Sequence, residues 1–235
     1  MAGRLWSVVF DANDRIALGR FWAAALEWEY EEHDGWSSAS APNGSLPRLE
    51  FVHAPNELIA PNRIHFDLSS SSLDDQQDTV ERLLGLGARH LDIGQEPDSE
   101  HVVLADPEGN EFCVIEPGNA FLAGCGFLGE LACDGSREAG LFWSEALGWP
   151  LVWDQGQETA IQSPHGGTKV AWGGPPAPPK ELTDRQRFDL TPAGGDRGAE
   201  VDRLVSLGAT RLEVRDDGAV VLADPDGNEF RVRAT

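Results

Sequence analysis

The sequence predicts an α+β fold built twice over. Three observations carry that reading: long blocks of the chain recur, the hydrophobic period switches between two and 3.6 within each copy, and each copy closes on an Asp-Pro-acidic-Gly-Asn turn. The block from Phe21-Trp22 to Leu26-Glu27-Trp28 returns as Phe142-Trp143 to Leu147-Gly148-Trp149. Arg63 with Phe66-Asp67-Leu68 returns as Arg185 with Phe188-Asp189-Leu190, and Val80 through Gly87-Ala88 returns as Val201 through Gly208-Ala209. The spacing between copies shortens before the last block, which places a short deletion in the loop ahead of that hairpin. Duplication explains the pattern economically and divides the chain into domains at 1–118 and 119–235.

In copy one, residues 5–10 are apolar and β-prone and read as the first strand. Asp14 stands where an N-cap would start a helix, and Ile16, Phe21, Trp22 and Ala25 give that helix a broad apolar face. Short strands are expected around 49–53 and 63–68. A second helix carries Val80, Leu83 and Leu84, and Gly87 supplies a left-handed C-cap that Gly208 repeats in copy two. In Asp106-Pro107-Glu108-Gly109-Asn110 and Asp224-Pro225-Asp226-Gly227-Asn228, proline fixes φ at the first corner and glycine accepts a positive φ, so each joins two strands. The Pro/Gly-rich stretch from Trp172 to Pro179 matches the loop at 55–61 inside copy one, and the boundary between copies falls near Pro117 to Gly124 instead.

With 40% hydrophobic and 25% charged residues, the 235-residue composition is that of an ordinary globular protein, long enough for two cores. Forty acidic against eighteen basic side chains give a net charge of -22, which opposes nucleic acid and anionic membrane surfaces as partners. No apolar run approaches the roughly 20 residues that span a bilayer, and the N-terminus runs into a strand without a signal-like segment, so a cytoplasmic location is expected. The three cysteines, Cys113, Cys125 and Cys133, lack CxxC spacing and read as free thiols. No Gly-rich phosphate loop, HExxH or Ser-His-Asp order is found.

The order strand, helix, strands, strand, helix, hairpin, with Phe-Trp-x-x-Ala-Leu-x-Trp on the first helix of each copy, resembles the vicinal oxygen chelate superfamily of glyoxalases, bleomycin-resistance proteins and extradiol dioxygenases. The resemblance covers nearly the whole chain, twice. It implies tandem glyoxalase-like domains, each of two βαβββ modules whose sheets curl into an incomplete barrel around a cleft. It also implies that, in metal-binding members, ligands project into the cleft from the first and last strands of each module. On copy one those positions fall on Ser7, Glu50, His65 and Cys113; on copy two they fall on Leu128, approximately Val170, Arg187 and Arg231. His65 and Glu50 are competent ligands and Cys113 could be a third if ionised, so no cofactor is certain and domain 1 is the place where a divalent metal (Zn, Ni, Fe or Mn) could bind, with an incomplete ligand set. Cys113 departs from the carboxylate that glyoxalase I and extradiol enzymes carry at the last position.

Each of these residues has a plainer reading beside the functional one. His65 alternates with Ile64 and Phe66, so it faces one side of its strand as a ligand or as a hydrogen-bonded wall residue. Two guanidinium groups cannot ligate a metal, and Arg187 and Arg231 either bind an anionic ligand or pair with Asp189 or Glu229. Among eight tryptophans, Trp22 and Trp143 hold repeated helix positions and read as core, while Trp36, Trp153 and Trp172 are the candidates for a cleft wall. Two functions are compatible with this pattern. One is a pocket, as monomer or homodimer, that sequesters a small organic molecule in a drug- or self-resistance role; the other is a metal-dependent lyase/isomerase or extradiol-type dioxygenase with its site in domain 1.

Overall fold

In a computed structural model, residues 2–42, 47–54, 62–96, 99–173 and 185–233 are described. The loop at 55–61 and the Pro/Gly-rich segment beyond Gly173 lie outside them. Four βαβββ modules follow one another along the chain. The first holds β1 (Arg4–Ala12), α1 (Arg15–Leu26), β2 (Glu29–Glu32), β3 (Trp36–Ser40) and β4 (Arg48–His53). The second holds β5 (Ile64–Leu68), α2 (Leu73–Leu86), β6 (Arg89–His90), β7 (Val102–Ala105) and β8 (Glu111–Val114). The third holds β9 (Leu128–Asp134), α3 (Arg137–Leu147), β10 (Leu151–Gln155), β11 (Glu158–Gln162) and β12 (Lys169–Gly173). The fourth holds β13 (Gln186–Thr191), α4 (Arg197–Ser206), β14 (Thr210–Val214), β15 (Val220–Ala223) and β16 (Glu229–Val232).

Local chemistry places these elements where the sequence predicts. The Asp14 carboxylate accepts from the Ile16 and Ala17 amides and caps α1. Gly87 ends α2 at φ 113°, a left-handed conformation that a Cβ would strain. In the first hairpin turn Asp106 accepts from the amides of Glu108 and Asn110, and Asp224 does the same for Asp226 and Asn228. No helix among the described residues is long and apolar enough to cross a membrane.

The modules pair across the sequence repeat. One eight-stranded open sheet runs β14-β15-β16-β13-β1-β4-β3-β2 and the other β10-β11-β12-β9-β5-β8-β7-β6. Antiparallel pairing of β1 with β13 joins the first module to the fourth, and pairing of β5 with β9 joins the second to the third. The modules that share a sheet are therefore not the modules that share a sequence copy. Within each copy the two modules are held together through their helix-covered faces instead: Phe10 of β1 meets Phe66 of β5 edge-on at 5.5 Å, and Trp22 of α1 meets Phe66 and Phe112 at 4.9 and 5.1 Å. Trp143 of α3 repeats this against Phe188 and Phe230. Each sheet thus has one face sealed by core and one face free of helices, and the polar clusters lie on the free faces.

Candidate functional site

On β5, Ile64, Phe66 and Leu68 are buried among the core while His65 and Asp67 alternate onto the helix-free face. Register then brings neighbours alongside: Asp67 lies opposite Cys113 on β8 and opposite Glu130 on β9, and His65 lies opposite Ala132. One ligand atom from each of His65, Asp67 and Cys113 falls within 4.8 Å of the others, a group that could hold a metal ion. His65 Nε2 stands 3.6 Å from Asp67 Oδ1, a buried oxygen that has no hydrogen-bond partner.

Burial raises the Asp67 carboxyl, with the His65 charge opposing the shift. Glu130 is pushed up to about 8, first by burial and then by the Asp67 carboxylate beside it. Two adjoining carboxyl groups in one dry place cannot both ionise cheaply, so the pair retains a proton near neutral pH. The Cys113 thiol is held well above its ordinary value by burial and by the same carboxylates. This excess of negative potential, with a buried carboxylate oxygen left unpaired, suits a bound cation, and His, Asp, Glu and Cys are donors that a borderline divalent ion accepts.

The cluster opens into a cleft of about 340 Å³ bordered by Ile115, Phe121, Leu122 and Trp153. Trp153 meets Phe121 edge-on at 5.6 Å, and its indole N–H is buried without an acceptor. Such a wall supplies apolar area with one directed donor, the usual make-up of a small-molecule pocket.

The other expected residues divide between this cleft and the second sheet. Glu50 is not with His65. It lies on β4, in the other sheet, where it accepts from Arg233 at 2.6 Å and from the Trp6 indole at 2.9 Å. The cause is the crossed pairing, which separates the first and second modules into different sheets. Ser7 goes with Glu50, opposite Asp189. Leu128 is a core residue, and Glu130, two positions on, is the one that faces the cleft. Trp36 stacks on His33 at 3.8 Å and borders the second cleft, with Arg187 and Arg231. Trp172 borders the first cleft but turns its ring to the helix side, 2% exposed and parallel to Trp143 at 6.1 Å, because it sits opposite Cys133 in the buried register. Neither Asp67 nor Glu130 stood among the metal candidates read from sequence. Asp67 was accessible through its alternation with His65.

Four βαβββ modules, joined edge to edge into two open sheets with polar clusters on the free faces, define a protein of the vicinal oxygen chelate superfamily. A family model described as a glyoxalase-like domain matches residues 7–115 and 130–233, and the chain belongs to that family. Glyoxalase I from Zea mays superposes with a TM-score of 0.64 at 14% identity, covering 99% of this chain and 92% of that one. A putative dioxygenase from Bacillus subtilis superposes at 0.60 and 11% identity, covering 98% and 84%. Likeness at these identities is a likeness of fold. No curated protein sequence matches the chain.

Proposed function

We propose that the cleft between β5, β8 and β9 is the active site of a metal-dependent enzyme of the lyase or isomerase type, acting on a small oxygen-bearing organic molecule. The observation that carries this reading is Asp67 flanked in register by Cys113 and Glu130, with His65 on the same face, at the floor of an apolar cleft. His65, Asp67 and Cys113 would hold the ion, which when bound supplies Lewis-acid polarisation of a substrate oxygen. Glu130 carries a proton near neutral pH and can deliver it to, or retrieve it from, a carbon or oxygen above the sheet. Trp153 offers its free indole N–H to orient the substrate, and Phe121, Ile115 and Leu122 exclude water around it.

Titration of metal-free protein with Zn²⁺, Ni²⁺, Fe²⁺ and Mn²⁺ by calorimetry in buffers of different ionisation enthalpy tests the reading. The expected result is one equivalent bound with proton release, and affinity at least about tenfold lower in His65→Ala. Absence of stoichiometric binding for all four ions, or an unchanged affinity in His65→Ala, would overturn it. The half-buried aromatic wall and the unpaired Trp153 donor favour a second reading, sequestration of a drug-like molecule without turnover. In that case organic ligands quench tryptophan emission while metal content stays at background.

A further inference from the structure

We propose that the second cleft, on the free face of the other sheet, is a binding site for a small organic monocarboxylate, with Arg231 as its anchoring cation and Arg187 and Ser7 as supporting donors. The two clefts are built on the same scaffold positions. β13 stands to β1 and β16 as β5 stands to β9 and β8: Asp189 lies opposite Ser7 and Arg231, as Asp67 lies opposite Glu130 and Cys113. At the register positions that hold His65, Cys113 and Glu130 in the first sheet, the second carries Arg187, Arg231 and Ser7, of which Arg187 and Arg231 border the cleft and Ser7 is buried. The donor set has changed sign, from groups that hold a cation to groups that hold an anion.

Around this cleft the carboxylates are at least as many as the guanidinium groups, but their pairing is uneven. On the sheet, Arg48, Arg187, Arg231 and Arg233 face Asp11, Glu50 and Asp189. Arg187 pairs with Asp11 at 2.6 Å, Arg233 with Glu50 at 2.6 Å, and Arg48 approaches Glu50 at 3.5 Å. Asp189 stands 3.8 Å from both Arg187 and Arg233. Arg231 is the guanidinium left over: it makes no ion pair within 4.0 Å among the described residues, and its Nε is buried without an acceptor. The Nε of Arg187 and the Oγ of Ser7 are likewise buried and lack acceptors, on side chains 3% and 0% exposed. Burial and the neighbouring Arg187 cation both hold the Arg231 guanidinium below its ordinary value, a conflict that an anion between the two would relieve.

Size and surroundings narrow the ligand. The cleft holds about 400 Å³, with Val9, Val52 and Ala219 as apolar wall. Asp34 and Asp217 also border it, and in a chain of net charge -22 they oppose a dianion. A single planar carboxylate answers one unpaired guanidinium, with a compact apolar body against the valines.

Benzoate, with inorganic phosphate as comparison, is the probe, and calorimetry on the full chain is the measurement. The expected result is saturable benzoate binding at one site, weakened at least about tenfold in Arg231→Gln and severalfold in Ser7→Ala, unchanged in His65→Ala, with phosphate weaker than benzoate. Thermal unfolding of each variant verifies that it is folded, and Ser7→Ala, which removes one oxygen, serves if Arg231→Gln is not. No saturable benzoate binding below about 10 mM would overturn the proposal. So would wild-type affinity in folded Arg231→Gln, or, where that variant is unfolded, wild-type affinity in Ser7→Ala. Loss of benzoate binding in His65→Ala would place the ligand in the other cleft and also overturn it.

Discussion

The indole N–H of Trp22 donates to the buried Oδ2 of Asp106 at 3.1 Å, and Trp143 donates to Asp224 at the same distance. Each bond ties the first helix of a copy to the hairpin turn that closes the same copy. It joins a module of one sheet to a module of the other through the core. Replacing Trp22 by Phe keeps most of the apolar contact and removes the donor. The expected cost is about 1 to 3 kcal/mol, with a matching loss in Trp143→Phe, read as a lower urea midpoint at unchanged slope.

Glu130 gives the protein a pH dependence of stability. Its folded value, about 8, lies above that of an unfolded glutamate, so between roughly pH 4.5 and 8 the folded state binds the extra proton. Stability from this group is therefore complete at low pH and is lost as pH rises through that window. Glu130→Gln should flatten the decline and be the more stable form, relative to wild type, at pH 8 than at pH 5. Equilibrium unfolding at the two pH values checks this, and parallel curves for both proteins would contradict it.

Gly19 and Gly140 hold equivalent places on α1 and α3. A Cβ at Gly140 would overlap Thr159 Oγ1 and stand 2.7 Å from Thr159 Cβ, and one at Gly19 would stand 2.7 Å from Ser37 Oγ. Alanine would add about 1 kcal/mol of helix propensity at either site, but overpacking against a buried strand costs about 1 to 3 kcal/mol. Both alanine variants should lose stability, Gly140→Ala by more, because Thr159 is β-branched and stiff while the serine hydroxyl can rotate away. Thermal melting compared side by side decides the order.

Glu108 and Asp226 hold equivalent turn positions but different partners. Glu108 accepts from Arg185 at 2.7 Å and from the Asn13 and Asp14 amides at the start of α1, whereas Asp226 accepts from the amide and hydroxyl of Ser136. Arg185 is only 5% exposed, so Glu108→Ala leaves a buried cation and should cost about 3 to 5 kcal/mol. Asp226→Ala removes bonds to neutral donors and should cost about 1 to 3 kcal/mol. Denaturant unfolding of the two variants measures the difference.

Much of this architecture was legible from short-range signals. The Asp14 cap, the Gly87 terminus and both hairpin turns are decided by residues within a few positions of one another, and the repeat supplied them twice. The partnership of modules was not legible, because hydrophobic alternation on β1 fixes which side chains face the core but not whether β5 or β13 pairs with its edge. Glu50 was grouped with His65 for that reason. Leu128 stood in for Glu130 because a bulge where β9 meets β5, between Asp67 and Leu68, shifts the pairing register. Trp172 illustrates the opposite case, since strand parity alone would have turned it toward the helices.

The crossed pairing also fixes an order of events during synthesis. Asp11 and its partner Arg187 are 176 residues apart, and the edge of β1 stays open until β13 has been made. A chain stopped after the first copy would carry two sheets of four strands, each with an apolar edge seeking a mate. The mate it lacks closely resembles its own sequence. Two such fragments could supply one another's missing edges, so a split or truncated version should dimerise or aggregate rather than remain a single folded half, and the intact chain should fold slowly for its size.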